Sequence, residues 1–334
     1  MKQAAKDRAK TPEALHALYT PIREELHQVE ELLREELCSD YPFVDRLVKH
    51  GFRLGGKRIR PALVLLSAKA TGRLRQEHLA LAAAVELIHT ATLIHDDVLD
   101  EATLRRHLET INARWDNEAS ILLGDYLFTR SICMASAVDG PFACRAIGEA
   151  ARTMCEGELR QVASRGNYDL SEDDYLTMIS NKTAALTACC CRLGSHYAGA
   201  DVETCEILTG FGHKLGIAFQ IADDLLDILG DEATVGKSLG TDLVKQKPTL
   251  PLIRLLNEAG DRERAEVVDV LSRSDNHRRE ALLAWFERYD AMAYAREKAV
   301  WFTQRAGDEL DKLPPSEARE TLRGLADFVV ARRH

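Results

Sequence analysis

The sequence predicts an all-α protein built as a single-domain bundle of long helices. Apolar residues recur at helical spacing along nearly the whole chain, only 9 prolines interrupt 334 residues, and no linker or low-complexity stretch separates two regimes of composition. One domain over 1–334 is therefore expected, with its motifs in a core at roughly 50–255.

The elements follow in order. Thr11-Pro12 suits a helix start, and Leu15, Leu18, Ile22 and Leu26 then share one face. Val44 and Leu47 continue the pattern, followed by Leu63, Leu66 and Ala70. The longest apolar stretch, Leu79 to Ile94, is broken by Glu86 and His89; no run reaches the roughly 18 apolar residues of a membrane span, so no stable membrane anchor is expected. Ser171 with Asp174 three residues on has the form of a capping box. Breaks are expected at Gly55-Gly56, Gly72, Asp139-Gly140-Pro141, Gly166-Asn167, Gly199, Gly230 and Pro248. The longest irregular piece, Gly230 to Pro248, carries Lys237, Asp242, Lys245 and Lys247, and suits a charged lid.

Composition narrows the function. With 46% hydrophobic and 29% charged residues the chain reads as soluble and globular. A net charge of -9 argues against nucleic acid as a partner, because phosphate-backbone binding needs a basic face. Lys2, Lys6, Arg8 and Lys10 have no apolar run behind them, unlike a secretory leader. The 8 cysteines lack C-x-x-C spacing and three are consecutive at Cys189, Cys190 and Cys191, which points to reduced thiols and a cytoplasmic location rather than a zinc site.

Two pentapeptides dominate the chemistry, DDVLD at Asp96 to Asp100 and DDLLD at Asp223 to Asp227. Positions i and i+4 share a helix face, so Asp96 projects with Asp100 and Asp223 with Asp227, while Asp97 and Asp224 stand about 100° away. A single acidic run is more often a solvated face. Here Thr92-Leu93-Ile94 and Phe219, Ile221 and Ala222 precede the acids, so the carboxylates emerge from helices that want burial. Facing carboxylates repel one another unless cations neutralise them, and hard oxygen ligands suit Mg²⁺. Lys57, Arg58 and Arg60 in GGKRIRP, and Arg105-Arg106 beyond the first pentapeptide, match phosphate oxygens. Acids and bases flanking one apolar helix suit a Mg²⁺ held with an anionic phosphate.

These residues resemble the polyprenyl (trans-isoprenyl) diphosphate synthases. The likeness runs through GGKRIRP, LIHDDVLDEATLRR, GDYLF at Gly124, KT at Lys182, FQIADDLLD at Phe219, GKSLGTDL at Gly236 and KPTLP at Lys247. It implies the isoprenoid synthase type I fold, a helical bundle around a central cavity, and a homodimer. It also implies that Asp96 and Asp100, supported by Asp97, hold two Mg²⁺ ions and that Asp223, with Asp224 and Asp227 close by, holds a third. Arg105, Lys182 and Lys237, with Lys247 in the loop, are similar to residues that bind the allylic diphosphate. Lys57, Arg60, His89 and Arg106 resemble the pocket for isopentenyl diphosphate, and Thr183 and Gln220 match polar groups near the developing cation.

Product length is read from the helix before Asp96, on which Thr92, Ala91 and Ile88 lie successively below the acid; one turn rises about 5.4 Å, close to one isoprene unit. Small Ala91 and Thr92 let a tail pass toward a floor at Met134 or Cys133, which predicts a medium- to long-chain product, about C40 by likeness to octaprenyl diphosphate synthases. A geranylgeranyl or other shorter product is the alternative. His95-Asp96 with His89 is similar to the metal site of HD-type phosphohydrolases, but that reading leaves DDLLD and GGKRIRP without a role. A terpene cyclase would make the isopentenyl pocket superfluous, and a non-catalytic helical subunit would not need intact acidic clusters.

Overall fold

The computed structural model describes residues 14–53, 56–230, 240–273 and 278–331. Thr11-Pro12, Gly55 and Lys237 lie outside them. The described chain is helical nearly throughout, as expected. A 3-10 turn at Thr20–Ile22 leads into α1 (Arg23–Glu36), then α2 (Pro42–Arg53), α3 (Ile59–Thr71) and α4 (Gln76–Leu99). After a short hairpin come α5 (Ile111–Arg114), α6 (Asn117–Ser136), α7 (Phe142–Ala163) and α8 (Glu172–Ile179). A π-helical turn, Ser180–Ala184, joins α8 to α9 (Ala185–Tyr197), and α10 (Val202–Leu229) follows. The C-terminal part comprises α11 (Thr241–Val244), α12 (Leu250–Glu258), α13 (Asp261–Ser272), α14 (Arg278–Arg288), α15 (Ala291–Leu310) and α16 (Glu317–Ala331).

Local chemistry sets the helix boundaries. Asp116 and Asp201 cap α6 and α10 by accepting from Ala119 N and Thr204 N, each at 2.7 Å. Ser171 caps α8 by accepting from Asp174 N at 3.0 Å, while its hydroxyl donates to Asp174 Oδ2 at 2.6 Å; this is the N-cap half of the expected capping box. Gly72 and Gly230 close α3 and α10. The apolar faces then set the packing. Ala62 to Leu66 of α3 are fully buried and meet α4 and α9. α4 lies on α6, and α10 lies between α9 and α15. α4 is long and apolar enough to cross a membrane, but most of it is buried in the bundle; Glu86 and His89 interrupt its apolar run without interrupting the helix.

Three features were not expected. Leu104–Arg105 and Leu108–Glu109 form an antiparallel hairpin whose turn residues, Arg106 (φ 52°) and His107 (φ 64°), are both left-handed. Such turns favour Asn-Gly, so Arg-His gave no signal. The π-helical turn holds Lys182 and Thr183. Between Gly230 and Pro248, residues 241–244 form a short helix rather than loop. All 8 cysteines are free thiols.

Candidate active site

Both aspartate clusters lie toward the C-terminal ends of their helices. Asp100 caps α4, its N–H donating to Asp96 O at 2.8 Å, so the one-turn spacing persists to the helix end. Asp227 sits in the last turn of α10. Neither helix has a basic residue in its last turn. The macrodipole is negative there, so the carboxylates gain nothing from their own helix and need cations from elsewhere.

At the first cluster those cations come from four places in the chain. Asp97 is buried and takes a fork from Arg105 of the hairpin, with Nη2 at 2.7 Å and Nε at 2.9 Å from Oδ1. Asp100 takes Lys247 Nζ at 2.9 Å on Oδ1 and 3.2 Å on Oδ2, with Arg165 Nη2 at 3.7 Å. Lys182 Nζ lies 4.0 Å from Asp96, touches Glu158 and donates to Gln161 Oε1 at 2.7 Å. Burial pushes the Asp96 carboxyl up, opposed by Lys182 and reinforced by Glu158 and Asp100. Burial acts on Asp100 in the same direction, yet the Lys247 ammonium outweighs it and holds the carboxyl below its usual value.

At the second cluster, Asp224 and Asp227 accept hydrogen bonds from neutral donors. Asp224, buried, accepts from Tyr175 OH at 2.7 Å and from Gln220 Nε2 at 2.8 Å. Burial, with Asp242 adding repulsion, pushes it up to about 7. Asp227, buried, accepts from Thr241 Oγ1 and Asp242 N, both at 3.1 Å, and its carbonyl takes Gly240 N at 2.9 Å. It thereby anchors the start of α11. Asp223 lies within electrostatic reach of Arg60.

Two bridges tie the clusters across one space. Lys247 Nζ is 2.9 Å from Asp100 and 3.5 Å from Asp242, whose backbone is held by Asp227. Next to Lys182, Thr183 Oγ1 donates to Gln220 Oε1 at 2.7 Å, and Gln220 donates in turn to Asp224. α7 holds the π-helical turn close, because a Cβ at Gly157 would lie 2.4 Å from Lys182 N. π turns of this kind concentrate at functional sites. Among the described residues no three His, Cys, Asp or Glu side chains converge tightly enough to hold an ion alone. These carboxylates suit a hard divalent cation that shares its shell with phosphate oxygens.

Beside the first cluster is a basic pocket lined by Gly56, Glu86, His89, Thr90, Arg105 and Arg106, among others. Burial, then the nearby Arg60, Arg106, Arg105 and Arg58, hold His89 well below its usual value, so a neutral imidazole stands among guanidiniums. Arg60 keeps a buried Nε without a hydrogen-bond partner. Since an arginine does not give up its proton, that donor calls for an anion. Arg58 is instead paired with Glu30 and, at 2.8 Å, with Glu86. Lys57 lies with Nζ 5.5 Å from the ring centroid of Phe328 on α16.

On the ruler helix Ile88 and Ala91 are buried, and Thr92 is partly buried with its hydroxyl on His89 O at 2.8 Å. Of the two floor candidates, Met134 is buried in the core and Cys133 is exposed. The sequence reading missed Glu158, Gln161, Arg165 and Tyr175. Each lies in a helix or loop whose local pattern is ordinary, and only the fold brings it to the acids.

Comparison with known proteins agrees with this geometry. Residues 41–287 match the profile of the family described as polyprenyl synthetase. A heptaprenyl diphosphate synthase component 2 from Geobacillus stearothermophilus is 37% identical over 316 residues, 94% of this chain and 98% of that protein. The octaprenyl diphosphate synthase of Escherichia coli (strain K12) is 36% identical over 300 residues, 89% of this chain and 93% of that one. A polyprenyl synthase from Caulobacter crescentus CB15, solved with calcium and isoprenyl diphosphate, superposes with a TM-score of 0.92 at 34% identity, covering 96% of this chain and 98% of that one. Facing acid walls, a neighbouring basic pocket and these likenesses converge, and the chain belongs to the polyprenyl synthetase family of prenyltransferases.

Proposed function

We propose that the protein is a Mg²⁺-dependent chain-elongating prenyltransferase that condenses isopentenyl diphosphate with an allylic diphosphate to give a trans-polyprenyl diphosphate of about C40. The observation that carries this reading is the pair of bridges between the walls: Lys247 spans Asp100 and Asp242, and beside Lys182 at Asp96 the Thr183–Gln220 pair leads to Asp224. Asp96, Asp100 and Asp223 are the residues that would hold Mg²⁺, three ions by family likeness. When bound, Mg²⁺ supplies Lewis-acid neutralisation of the leaving diphosphate.

The chain's own groups do the rest. Arg105, Lys182 and Lys247 bind and orient the allylic diphosphate, and the C–O bond breaks with its electron pair leaving on the diphosphate oxygen. Lys57, Arg60, Arg106 and neutral His89 hold the second diphosphate, which directs the isopentenyl double bond at the allylic carbon. Thr183 and Gln220 set polar oxygens beside the cation. A proton then leaves the new C–C adduct for the departed diphosphate, restoring the double bond. Asp97, Asp224 and Asp227, already bonded to protein donors, hold the frame. Burial of both walls keeps out water that would capture the cation.

The small side chains at Ala91 and Thr92 support a long product, and a relative named octaprenyl diphosphate synthase agrees with the C40 reading. Ala91→Phe should shorten the product by one or more isoprene units, read by mass analysis; an unchanged distribution removes the ruler. A homodimer working in the cytoplasm is proposed by family likeness. The name of one relative, heptaprenyl diphosphate synthase component 2, favours a second reading, in which the chain needs an unlike partner. Purified chain incubated with farnesyl diphosphate, isopentenyl diphosphate and Mg²⁺ decides between them: polyprenyl diphosphate formed by the chain alone supports the first reading, and no product without an added subunit supports the second.

A further inference from the structure

Building on the diphosphate-binding reading above, we propose that Arg165 is a further binding residue for the diphosphate at the Asp100 rim. Arg165 lies just past the end of α7, outside every motif that the sequence singles out. Its Nη2 is 3.7 Å from Asp100 Oδ1, too long for a hydrogen bond, while Lys247 spans both oxygens of that carboxylate at 2.9 and 3.2 Å. Both Nε and Nη2 of Arg165 are sealed from solvent and have no hydrogen-bond partner.

Buried donors of this kind are costly, and a guanidinium cannot escape the cost by losing its proton. Backbone contacts fix it there. Gly166 N donates to Gln246 O at 2.9 Å, so the chain next to Arg165 is fastened to the segment that carries Lys247, and Lys245 on that segment faces Glu101 at 3.8 Å. The lysine and the arginine therefore approach Asp100 from adjoining elements and present donors to the same small region. A diphosphate drawn there by Lys247 meets the unmatched fork of Arg165, whose planar donors suit two phosphate oxygens. A counter-ion serving Asp100 alone would instead be expected to sit at hydrogen-bond distance.

Calorimetric titration with inorganic pyrophosphate and Mg²⁺ tests this without any prenyl chemistry. Arg165→Met should bind pyrophosphate about 10-fold or more weakly than the wild type, as expected for a lost charge-assisted hydrogen bond. Arg165→Lys should fall between the two, and it stands in if the methionine variant does not fold. In steady state the KM for the allylic diphosphate should rise while that for isopentenyl diphosphate stays put. Pyrophosphate affinity unchanged in a folded variant overturns the role of Arg165, whatever happens to its thermal stability. A wild-type protein that does not bind pyrophosphate with Mg²⁺ overturns the reading of the whole site instead.

Discussion

The two aspartate clusters share a pattern and a position near a helix end, yet their surroundings differ in kind. Around Asp96, Asp97 and Asp100 stand charged partners, namely Lys182, Arg105 and Lys247. Around Asp224 and Asp227 stand a phenol, an amide, a hydroxyl and a backbone N–H. Paired charge lowers the Asp100 carboxyl, whereas burial among neutral donors raises Asp224 to about 7. The same five letters thus make an ionised rim at Asp100 on one wall and a hydrogen-bonded brace at Asp224 and Asp227 on the other. The lesson is that a carboxylate's role follows from what faces it.

That contrast can be broken by experiment. The largest effect is expected at Asp100→Ala, which should cut kcat/KM for incorporation of labelled isopentenyl diphosphate by about 10³-fold, the order found for loss of one strong electrostatic stabiliser. An activity loss below about tenfold would place the ionised rim outside the chemistry.

Gly157→Ala comes next. Its new Cβ would press on Lys182 N at 2.4 Å and Asn181 C at 2.9 Å, both backbone atoms that yield poorly. Overpacking of this kind costs about 1–3 kcal/mol and should move Lys182 away from Asp96, raising the KM for the allylic diphosphate. A variant with native stability and native KM would show that the π-helical turn tolerates displacement.

Asp224→Asn sharpens the electrostatic half of the comparison. A carboxyl at about 7 in the folded chain and 3.8 unfolded makes the wild type lose stability as pH rises from about 4 to about 7, since the unfolded chain sheds its proton first. The asparagine variant lacks that slope. Its unfolding free energy relative to wild type, measured with a chelator present, should therefore climb across this window and level off above it, by on the order of 2–4 kcal/mol at most. A constant difference from pH 4 to 8 would mean that Asp224 stays ionised.

The smallest effect is expected in the hairpin. His107 at φ 64° sits where glycine is at ease, so His107→Gly should stabilise the fold by up to about 1 kcal/mol in thermal melts. Destabilisation would show that the histidine side chain contributes more than its backbone strain costs.

Much of this was legible in the chain. Helical spacing, the Ser171 cap and the glycine breaks gave the all-α architecture because each depends on neighbours a few residues away. The apolar flanks of the two pentapeptides indicated burial for the same reason. The hairpin was not legible, because Arg106-His107 carries no turn residue. Nor was the π-helical turn, which depends on the close approach of Gly157.

The sequence by itself determined that carboxylates would be grouped at helical spacing on buried helices and that phosphate-binding cations would flank them. Which carboxylate meets a lysine and which a tyrosine was decided only by the tertiary structure. Glu158, Gln161, Arg165, Tyr175 and Asp242 reach the clusters from other elements of the fold. Periodicity records which face of a helix turns inward, but the identity of the group across a gap depends on how helices far apart in the chain come to pack.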